Sequence, residues 1–365
     1  MTDGSVEGFA TKSWSPVREA FAANLASGAD LGASFCATVE GETVIDVWGG
    51  WADEARTRPW RSDTIVNVYS TTKTMTALVA LLLADRGELD FDAPVARYWP
   101  EFAANGKENV KLSHVMSHSA GLPDWRAPIT TADLYDWDKV TALLAAQAPD
   151  WEPGTELGYH SVTFGYLVGE VVRRATGRSL GTVFRQEIAE PLGADFHIGL
   201  PASEDDRVAD LIPAPGPPDA GIMLDVLDTR TRAWRGAELP AVGGTGNARA
   251  VAQIHAILAN GGVAQGKRFL SEAGCRKALE VQASGRDRII GMSLCNGMGF
   301  AVSGGVLAFP NPNTLYWGGY GGSLAVIDMD ARTSMAYAMN RMTQSRTDMR
   351  GLELMMTAWA AQGLI

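Results

Sequence analysis

One segment of the sequence, residues 71–85, constrains the fold more than any other. It reads TTKTMTALVALLLAD, it is nearly all apolar, and Gly87 follows it. Most of its residues are good helix formers, and glycine commonly stands just beyond the last turn of a helix. A helix that is apolar on all sides is stable only where other parts of the protein cover it. We therefore expect a helix over this segment that lies buried in the centre of the molecule.

Patterns typical of strands lie near both ends of the chain. A helix is predicted to begin at Ser15-Pro16, a hairpin to turn at Glu40-Gly41, and a strand to follow over residues 64–69. The other predicted elements are helices at 166–175, 248–259, 271–279 and 346–361 and strands at 299–302, 315–317, 324–327 and 334–339.

The middle of the chain is interrupted by many prolines and glycines and carries helical patterns. The length of 365 residues suggests about two domains, at roughly 150 residues per domain. We predict an α/β domain with a central antiparallel sheet, formed jointly by residues 1–88 and 287–365. Residues 89–286 are predicted to form a mostly helical domain with long loops. The active site is expected where the two meet, since ligand clefts usually lie at such junctions.

Charge and apolar runs exclude several classes of function. Lys and Arg number 31 and Asp and Glu 42, so the formal charge is −11, and no basic run occurs. Nucleic acids and anionic membranes are therefore not expected as partners. The N-terminus lacks the basic and apolar pattern of a secretory signal, and the longest apolar run, residues 77–84, is too short to span a bilayer. We expect a soluble, cytoplasmic protein.

The cysteines and histidines give no complete set of metal ligands. Cys36, Cys275 and Cys295 are widely spaced and are interpreted as buried thiols. His114 and His118 are four residues apart, which can place two ligands on one helix face, but no glutamate completes an H-E-x-x-H motif. We expect neither a metal nor a cofactor.

Ser70 and Lys73 form an S-x-x-K motif at the predicted junction of strand and buried helix. Positions i and i+3 share a helix face, so Lys73 can reach the Ser70 hydroxyl. The helix N-terminus offers free N–H groups to a developing oxyanion, and a buried lysine can act as a base. Such a pair also occurs by chance about once in a chain of this length. The position at a helix start favours a nucleophile with its base.

A second serine, Ser179, lies in Gly177-Arg178-Ser179-Leu180-Gly181, which fits the G-x-S-x-G pattern of α/β-hydrolases. That pattern requires a turn from a strand into a helix, whereas a helical stretch precedes Gly177. We predict that Gly177 ends one helix and that Ser179 caps the next. Three aromatic residues could line a substrate pocket or simply pack in the core: Trp125, Tyr135 and Trp137.

Several motifs resemble those of the superfamily of class C β-lactamases and family VIII carboxylesterases, and the resemblance runs through most of the chain. Residues 112–123, LSHVMSHSAGLP, are similar to the family segment T-x-x-H-L-L-T-H-T-S-G-L-P. Residues 153–161, PGTELGYHS, are similar to the segment P-G-T…Y-x-N, and Gly243-Gly244-Thr245 resembles the start of the helix before the last strands. The resemblance implies a β-lactamase-like α/β (α+β) fold, with an antiparallel sheet flanked by helices from both termini and an inserted helical domain.

The resemblance also implies roles for particular residues. Tyr159 would be the catalytic tyrosine beside Ser70 and Lys73. Ser161 stands where lactamases have asparagine, and it and His160 would line the cleft. The cleft strand would carry Trp317-Gly318-Gly319-Tyr320 in place of Lys-Thr-Gly. The N–H groups of Ser70 and Tyr320 would form the oxyanion hole.

Tryptophan at position 317 bears on the reaction class. A lysine there would bind the carboxylate of a β-lactam or of a peptide C-terminus, whereas Trp317 supplies an apolar wall with one N–H donor. The sequence therefore predicts a serine carboxylesterase acting on small or medium esters through an acyl-enzyme. The alternatives are a β-lactamase, a D-amino-acid peptidase or amidase, an acyltransferase, and a non-catalytic relative. The last class typically lacks the Ser, Lys or Tyr that this chain retains.

Overall fold

The computed structural model describes residues 5–215, 224–343 and 348–365. Within these residues, nine strands form one antiparallel sheet in the order β1-β3-β2-β14-β13-β12-β11-β10-β9, and β4–β6 and β7–β8 form two small sheets. The strands are β1 (Glu7–Ala10), β2 (Gly32–Val39), β3 (Glu42–Gly50), β4 (Val66–Asn67), β5 (Phe196–His197), β6 (Thr245–Gly246), β7 (Val263–Ala264), β8 (Lys267–Arg268), β9 (Ala283–Arg286), β10 (Ser293–Asn296), β11 (Ala301–Val302), β12 (Thr314–Gly318), β13 (Leu324–Asp328) and β14 (Thr333–Met339).

The large sheet joins the two ends of the chain. Strand β2 pairs with β14 over seven residues, with Ala33 opposite Met339 and Val39 opposite Thr333. The hairpin between β2 and β3 turns at Glu40 and Gly41, which have φ values of 52° and 86°, so both residues adopt the left-handed conformation that tight hairpins require. The predicted fold class and the predicted hairpin are confirmed.

Helices cover both faces of this sheet. Tyr337 and Ser34 occupy adjacent register positions on β14 and β2, so their side chains point to opposite faces. Tyr337 lies against Gly351 of the last helix, whereas the Ser34 hydroxyl accepts a hydrogen bond from the N–H of Ala248 at 3.2 Å. The α-helices are α1 (Ser15–Ser27), α2 (Thr72–Asp85), α3 (Leu112–Met116), α4 (Trp137–Ala146), α5 (Thr163–Thr176), α6 (Leu180–Phe184), α7 (Glu190–Leu192), α8 (Arg232–Gly236), α9 (Ala248–Ala259), α10 (Glu272–Lys277) and α11 (Arg350–Ala361).

Helix α2 is the buried helix that the apolar run predicts. Every residue from Thr72 to Leu83 is buried, including Lys73. The helix packs against α5, α6 and α10. Burial of the apolar side chains on all sides fixes the position of α2, and therefore of the residues at its N-terminus.

The segment 89–286 holds α3 to α10 and long connections, and it also supplies strand β9 to the large sheet. Helix α9 packs against β2, β13 and β14, and β9 pairs with β10. The boundaries at 88/89 and 286/287 stay a prediction. No helix among the described residues is long and apolar enough to cross a membrane.

Four predicted elements were wrong in extent. The strand predicted over 64–69 is limited to β4, because Tyr69 has a φ of 42° and begins a 3₁₀ turn. The predicted strand 299–302 is limited to β11, since Gly299 lies in a turn with a φ of 83°. The predicted helix 271–279 is α10, which Ser271 caps. The last helix was predicted from residue 346, which lies outside the described residues, and α11 begins at Arg350.

The interpretation of the cysteines as buried thiols is confirmed for Cys36 and Cys275, which are free and buried. It is wrong for Cys295, which is partly exposed. Cys295 lies on β10, near the edge of the large sheet, where protein covers a side chain less completely than in the central strands.

Candidate active site

Ser70 lies in a single 3₁₀ turn, Tyr69–Thr71, between β4 and α2. The positive φ of Tyr69 is unfavourable for a bulky residue and persists only where neighbours hold it. The Asn67 side chain accepts a hydrogen bond from the Tyr69 N–H at 3.1 Å. The Thr72 hydroxyl donates to the Tyr69 carbonyl at 2.5 Å and accepts from the Gly244 N–H at 2.8 Å. These bonds hold the Ser70 side chain at the start of the helix.

Lys73 extends from the first turn of α2 to the Ser70 hydroxyl, as the spacing predicts. Its Nζ lies 3.0 Å from Ser70 Oγ, 2.6 Å from the carbonyl oxygen of Ser161 and 3.1 Å from that of Ala241. Burial lowers the pKa of the Lys73 ammonium well below its ordinary value of 10.5. The lowered pKa favours the neutral amine, which is the form of lysine that can accept a proton.

Tyr159 contacts the same serine oxygen from the other side. Its hydroxyl donates a hydrogen bond to Ser70 Oγ at 2.6 Å, and Lys73 Nζ lies 4.8 Å from the centre of its ring. Burial raises the pKa of the Tyr159 phenol to about 12, while side-chain hydrogen bonds with Ser70 and Trp317 oppose that rise. Tyr159 is therefore a neutral phenol near neutral pH, and it can donate a proton.

The hydrogen bonds around Ser70 fit two states of Lys73. An ammonium group donates one hydrogen to each of the three oxygens. A neutral amine gives its two hydrogens to the Ser161 and Ala241 carbonyls and turns its lone pair to the Ser70 hydroxyl. In the second state Lys73 can take the hydroxyl proton while Tyr159 donates to the same oxygen. This arrangement can generate a serine nucleophile.

Trp317 lies on β12 beside the tyrosine. It is 6% exposed, and its ring centroid is 5.5 Å from that of Tyr159, at an interplanar angle of 36°. The His118 ring also lies against it, with the two ring centroids 5.4 Å apart. Trp317 thus packs against Tyr159, and its role as an apolar wall of the substrate cleft stays a prediction.

The turn after Trp317 lies against the chain that precedes Ser70. A Cβ atom on Gly319 would come within 2.1 Å of the Val68 carbonyl oxygen, so only glycine fits there. Gly318 is exposed, and the Tyr320 ring lies 5.6 Å from that of Tyr69. Tyr320 and Ser70 are thus on neighbouring segments. An oxyanion hole formed by their N–H groups stays a prediction.

The two residues after Tyr159 lie in different surroundings, and the predicted place of Ser161 in the cleft stays a prediction. His160 is fully buried, its Nδ1 donates to the Gly158 carbonyl at 2.6 Å, and its Nε2 accepts from the Leu122 N–H at 3.1 Å. Because both ring nitrogens are bonded to backbone, His160 does not fit the predicted contact with a substrate. Ser161 is half-buried and reaches the site through its carbonyl oxygen, which accepts from Lys73.

Ser179 is an N-cap, as predicted. Its hydroxyl accepts from the Thr182 N–H at 3.2 Å and donates to the Glu238 carboxylate at 2.6 Å. It therefore has a structural partner and lies between two helices rather than at a strand-to-helix turn.

The other candidate residues have hydrogen-bond partners within the protein. His114 accepts a hydrogen bond from the Lys111 N–H at the start of α3. The indole N–H groups of Trp125 and Trp137 donate to the Val140 carbonyl and to the Glu170 carboxylate. Tyr135 is half-buried and hydrogen-bonds to Thr231. In the part of the chain that the structure describes, no three His, Cys, Asp or Glu residues form a group that could hold a metal.

Sequence reasoning missed two contributors to the site. The Ser323 hydroxyl donates to the Val68 carbonyl at 2.8 Å and lies 3.0 Å from the Thr71 hydroxyl, so it attaches the turn after β12 to the Ser70 segment. The Ala241 carbonyl is one of the acceptors of Lys73. A serine in a glycine-rich turn carries no specific signal, and a backbone carbonyl carries none at all.

Comparison with known families agrees with this geometry. Residues 17–355 match the family described as Beta-lactamase. The chain belongs to the β-lactamase family. This membership confirms the predicted resemblance and makes the chain a serine hydrolase of that family, as the sequence predicted.

Three relatives of this β-lactamase family member are esterases by their names. A crystal structure of a family VIII carboxylesterase has a TM-score of 0.93 and 45% identity, and the match covers 98% of this chain and all of that one. Esterase/beta-lactamase LipL of Mycobacterium tuberculosis is 38% identical over 66% of this chain and 61% of its own, so the match spans less than two thirds of that protein. Esterase EstB of Burkholderia gladioli is 31% identical, covering 82% of this chain and 83% of its own.

Proposed function

We propose that this member of the β-lactamase family is a serine carboxylesterase that hydrolyses small or medium esters through an acyl-enzyme on Ser70. The observation that carries the proposal is the position of Ser70 Oγ, 3.0 Å from Lys73 Nζ and 2.6 Å from the Tyr159 hydroxyl. A nucleophile within hydrogen-bond reach of both a base and an acid is what acyl transfer requires. The names of the three relatives support the choice of an ester as substrate.

The reaction follows from the hydrogen bonds. Ser70 Oγ attacks the ester carbonyl while its proton passes to the neutral Lys73 amine. The N–H groups of Ser70 and Tyr320 receive the negative charge that develops on the carbonyl oxygen. Tyr159 protonates the departing alcohol and regains its proton from the Lys73 ammonium, which leaves an acyl group on Ser70. A water then attacks this ester and gives its proton to the same pair. The pair returns that proton to Ser70 Oγ as the acid is released.

The wall formed by Trp317 favours uncharged substrates. It places an indole where the lactamase relatives carry a lysine, so the carboxylate of a β-lactam lacks that partner. The relative named Esterase/beta-lactamase LipL makes β-lactam hydrolysis the second candidate function. The absence of nucleic-acid partners and the cytoplasmic location stay predictions.

A substrate panel tests the proposal. Nitrophenyl esters of increasing acyl length and a chromogenic cephalosporin are supplied to the wild type, to Ser70→Ala and to Ser179→Ala. We expect the wild type to turn over the short and medium esters faster than the cephalosporin, Ser70→Ala to be inactive, and Ser179→Ala to stay near the wild type. An active Ser70→Ala variant, or a wild type that prefers the cephalosporin, would overturn the proposal.

A further inference from the structure

One buried residue, His118, holds the backbone on both sides of Tyr159. Its carbonyl oxygen accepts a hydrogen bond from the Gly158 N–H at 3.0 Å, and its Nδ1 accepts one from the His160 N–H at 3.2 Å. The residues before and after Tyr159 are therefore bonded to the same partner. Two such bonds fix the position of the peptide units from which the phenol extends.

The His118 ring also contacts the phenol. The two ring centroids are 5.1 Å apart at 68°, an edge-to-face arrangement, and the His118 ring continues to Trp317 at 5.4 Å. His118 is 2% exposed, so water cannot replace these contacts. The position of the Tyr159 ring is thus limited both by the hydrogen bonds of the neighbouring backbone and by the contact with the imidazole.

The backbone of His118 is itself held in an unfavourable conformation. Its φ is 63°, in the left-handed region that histidine adopts only occasionally. Such strain persists where the surrounding structure requires it, and it is common near functional sites. Here this conformation lets one residue present both its carbonyl and its ring nitrogen to the segment 158–160.

We propose that His118 is a positioning residue that holds the Tyr159 hydroxyl against Ser70 Oγ, acting through Nδ1 and the ring rather than on the substrate. The inference rests on the proposed role of Tyr159. Because Nδ1 must accept a hydrogen bond, the imidazole is neutral and carries its proton on Nε2. A displacement of the phenol by about 1 Å would cost roughly 10²-fold in rate.

A matched pair of substitutions isolates the acceptor. His118→Asn and His118→Gly both remove the ring and both tolerate a positive φ, but only asparagine places an acceptor oxygen near the position of Nδ1. We expect His118→Gly to lower kcat for a nitrophenyl ester about 10²-fold and His118→Asn to restore it to within about tenfold of the wild type. Equal losses in the two variants would overturn the proposed role of Nδ1.

The same pair in a Tyr159→Phe background separates positioning from general stability. If His118 acts through the phenol, the two variants should differ there by no more than about twofold. If His118→Gly and His118→Asn still differ in kcat by more than that in the Tyr159→Phe background, His118 has a purely structural role and the inference is overturned. An unchanged kcat in Tyr159→Phe alone would instead contradict the proposed function. His255→Asn, at another buried histidine on α9, is the control: it should lower the melting temperature but change kcat by no more than about twofold, both with Tyr159 present and in the Tyr159→Phe background.

Discussion

Lys73 determines the chemistry of the site at the scale of single residues. Its partners are one hydroxyl and two carbonyl oxygens rather than a carboxylate. The dipoles of these three groups compensate only in part for the hydration that the Lys73 ammonium loses on burial. The pKa of Lys73 therefore falls. Tyr159 is shifted in the opposite direction, because burial disfavours its charged form, the phenolate. Burial thus provides a base and an acid on the same serine oxygen.

Removing either partner should slow acylation. We expect Lys73→Ala and Tyr159→Phe each to lower the acylation rate by roughly 10² or more, and the double variant to lose much less than the product, because the two act as one unit. Stopped-flow measurement of the nitrophenol burst checks this, and multiplicative losses would assign the residues to separate steps.

Acylation should also weaken as the pH falls. Lys73 gains a proton on the acid side of its lowered pKa, and an ammonium cannot accept the Ser70 proton. We expect kcat/KM of the wild type to decrease toward acid pH, and this dependence to be missing from the residual activity of Lys73→Ala. The same acid limb in both enzymes would show that another group titrates.

Trp317→Lys tests substrate selection at the cleft strand. A charge-assisted contact with a carboxylate is worth about 1.5 to 3 kcal/mol, or roughly 10- to 150-fold in binding. The ratio of cephalosporin to neutral-ester turnover should therefore rise. The absolute rate on the lactam can stay low, since Ser161 replaces asparagine. An unchanged ratio would mean that Trp317 only packs against Tyr159.

At the scale of elements, the site depends on how the turn after β12 joins the start of α2. Ser323 bridges them, with its hydroxyl on the Val68 carbonyl and near the Thr71 hydroxyl. The glycine at 319 allows the approach, because any side chain there would collide with Val68. The position of Tyr320 relative to Ser70 therefore depends on a contact between segments about 250 residues apart.

Ser323→Ala should loosen this contact. We expect kcat to fall several-fold and the free energy of unfolding to fall by about 1 kcal/mol, the usual contribution of one hydrogen bond. Ser334→Ala on β14 is the matched control: that hydroxyl is also buried but has no hydrogen-bond partner among the described residues. Its loss should change neither quantity appreciably. Equal effects of the two substitutions would show that the hydrogen bonds of Ser323 do not hold the site together.

The sequence predicted what depends on local geometry. The spacing of Ser70 and Lys73, together with their position at a helix start, predicted their contact, because residues three apart share a helix face. The end of the strand at Asn67 was missed, because the positive φ of Tyr69 is stabilised in part by Gly244, which is distant in sequence. Tyr159 could be proposed only from a family motif. The Ala241 carbonyl could not be predicted, since every residue has a carbonyl and only the fold selects one.

At the scale of the whole molecule, burial also makes stability depend on pH. His255 on α9 is buried, and burial lowers its pKa to about 4 from an ordinary 6.5. In the unfolded chain the same imidazole has its ordinary pKa, so it takes up a proton already as the pH falls through 6.5. Its contribution to stability is therefore complete above pH 6.5 and is lost as the pH falls toward 4.

His255→Phe should remove this dependence. Between pH 6.5 and 4 the wild type should lose up to about 3 kcal/mol more free energy of unfolding than the variant does, since one pKa unit corresponds to about 1.4 kcal/mol. Urea unfolding at several pH values measures the difference. Parallel losses in the two proteins would show that His255 is not neutral in the fold.

Covalent labelling tests most directly whether Ser70 is the nucleophile. The protein is treated with an organophosphate, its intact mass is measured, and the modified peptide is mapped. We predict a single adduct on Ser70, full labelling of Ser179→Ala and no labelling of Ser70→Ala. An adduct on any other residue, or full labelling of Ser70→Ala, would contradict the account.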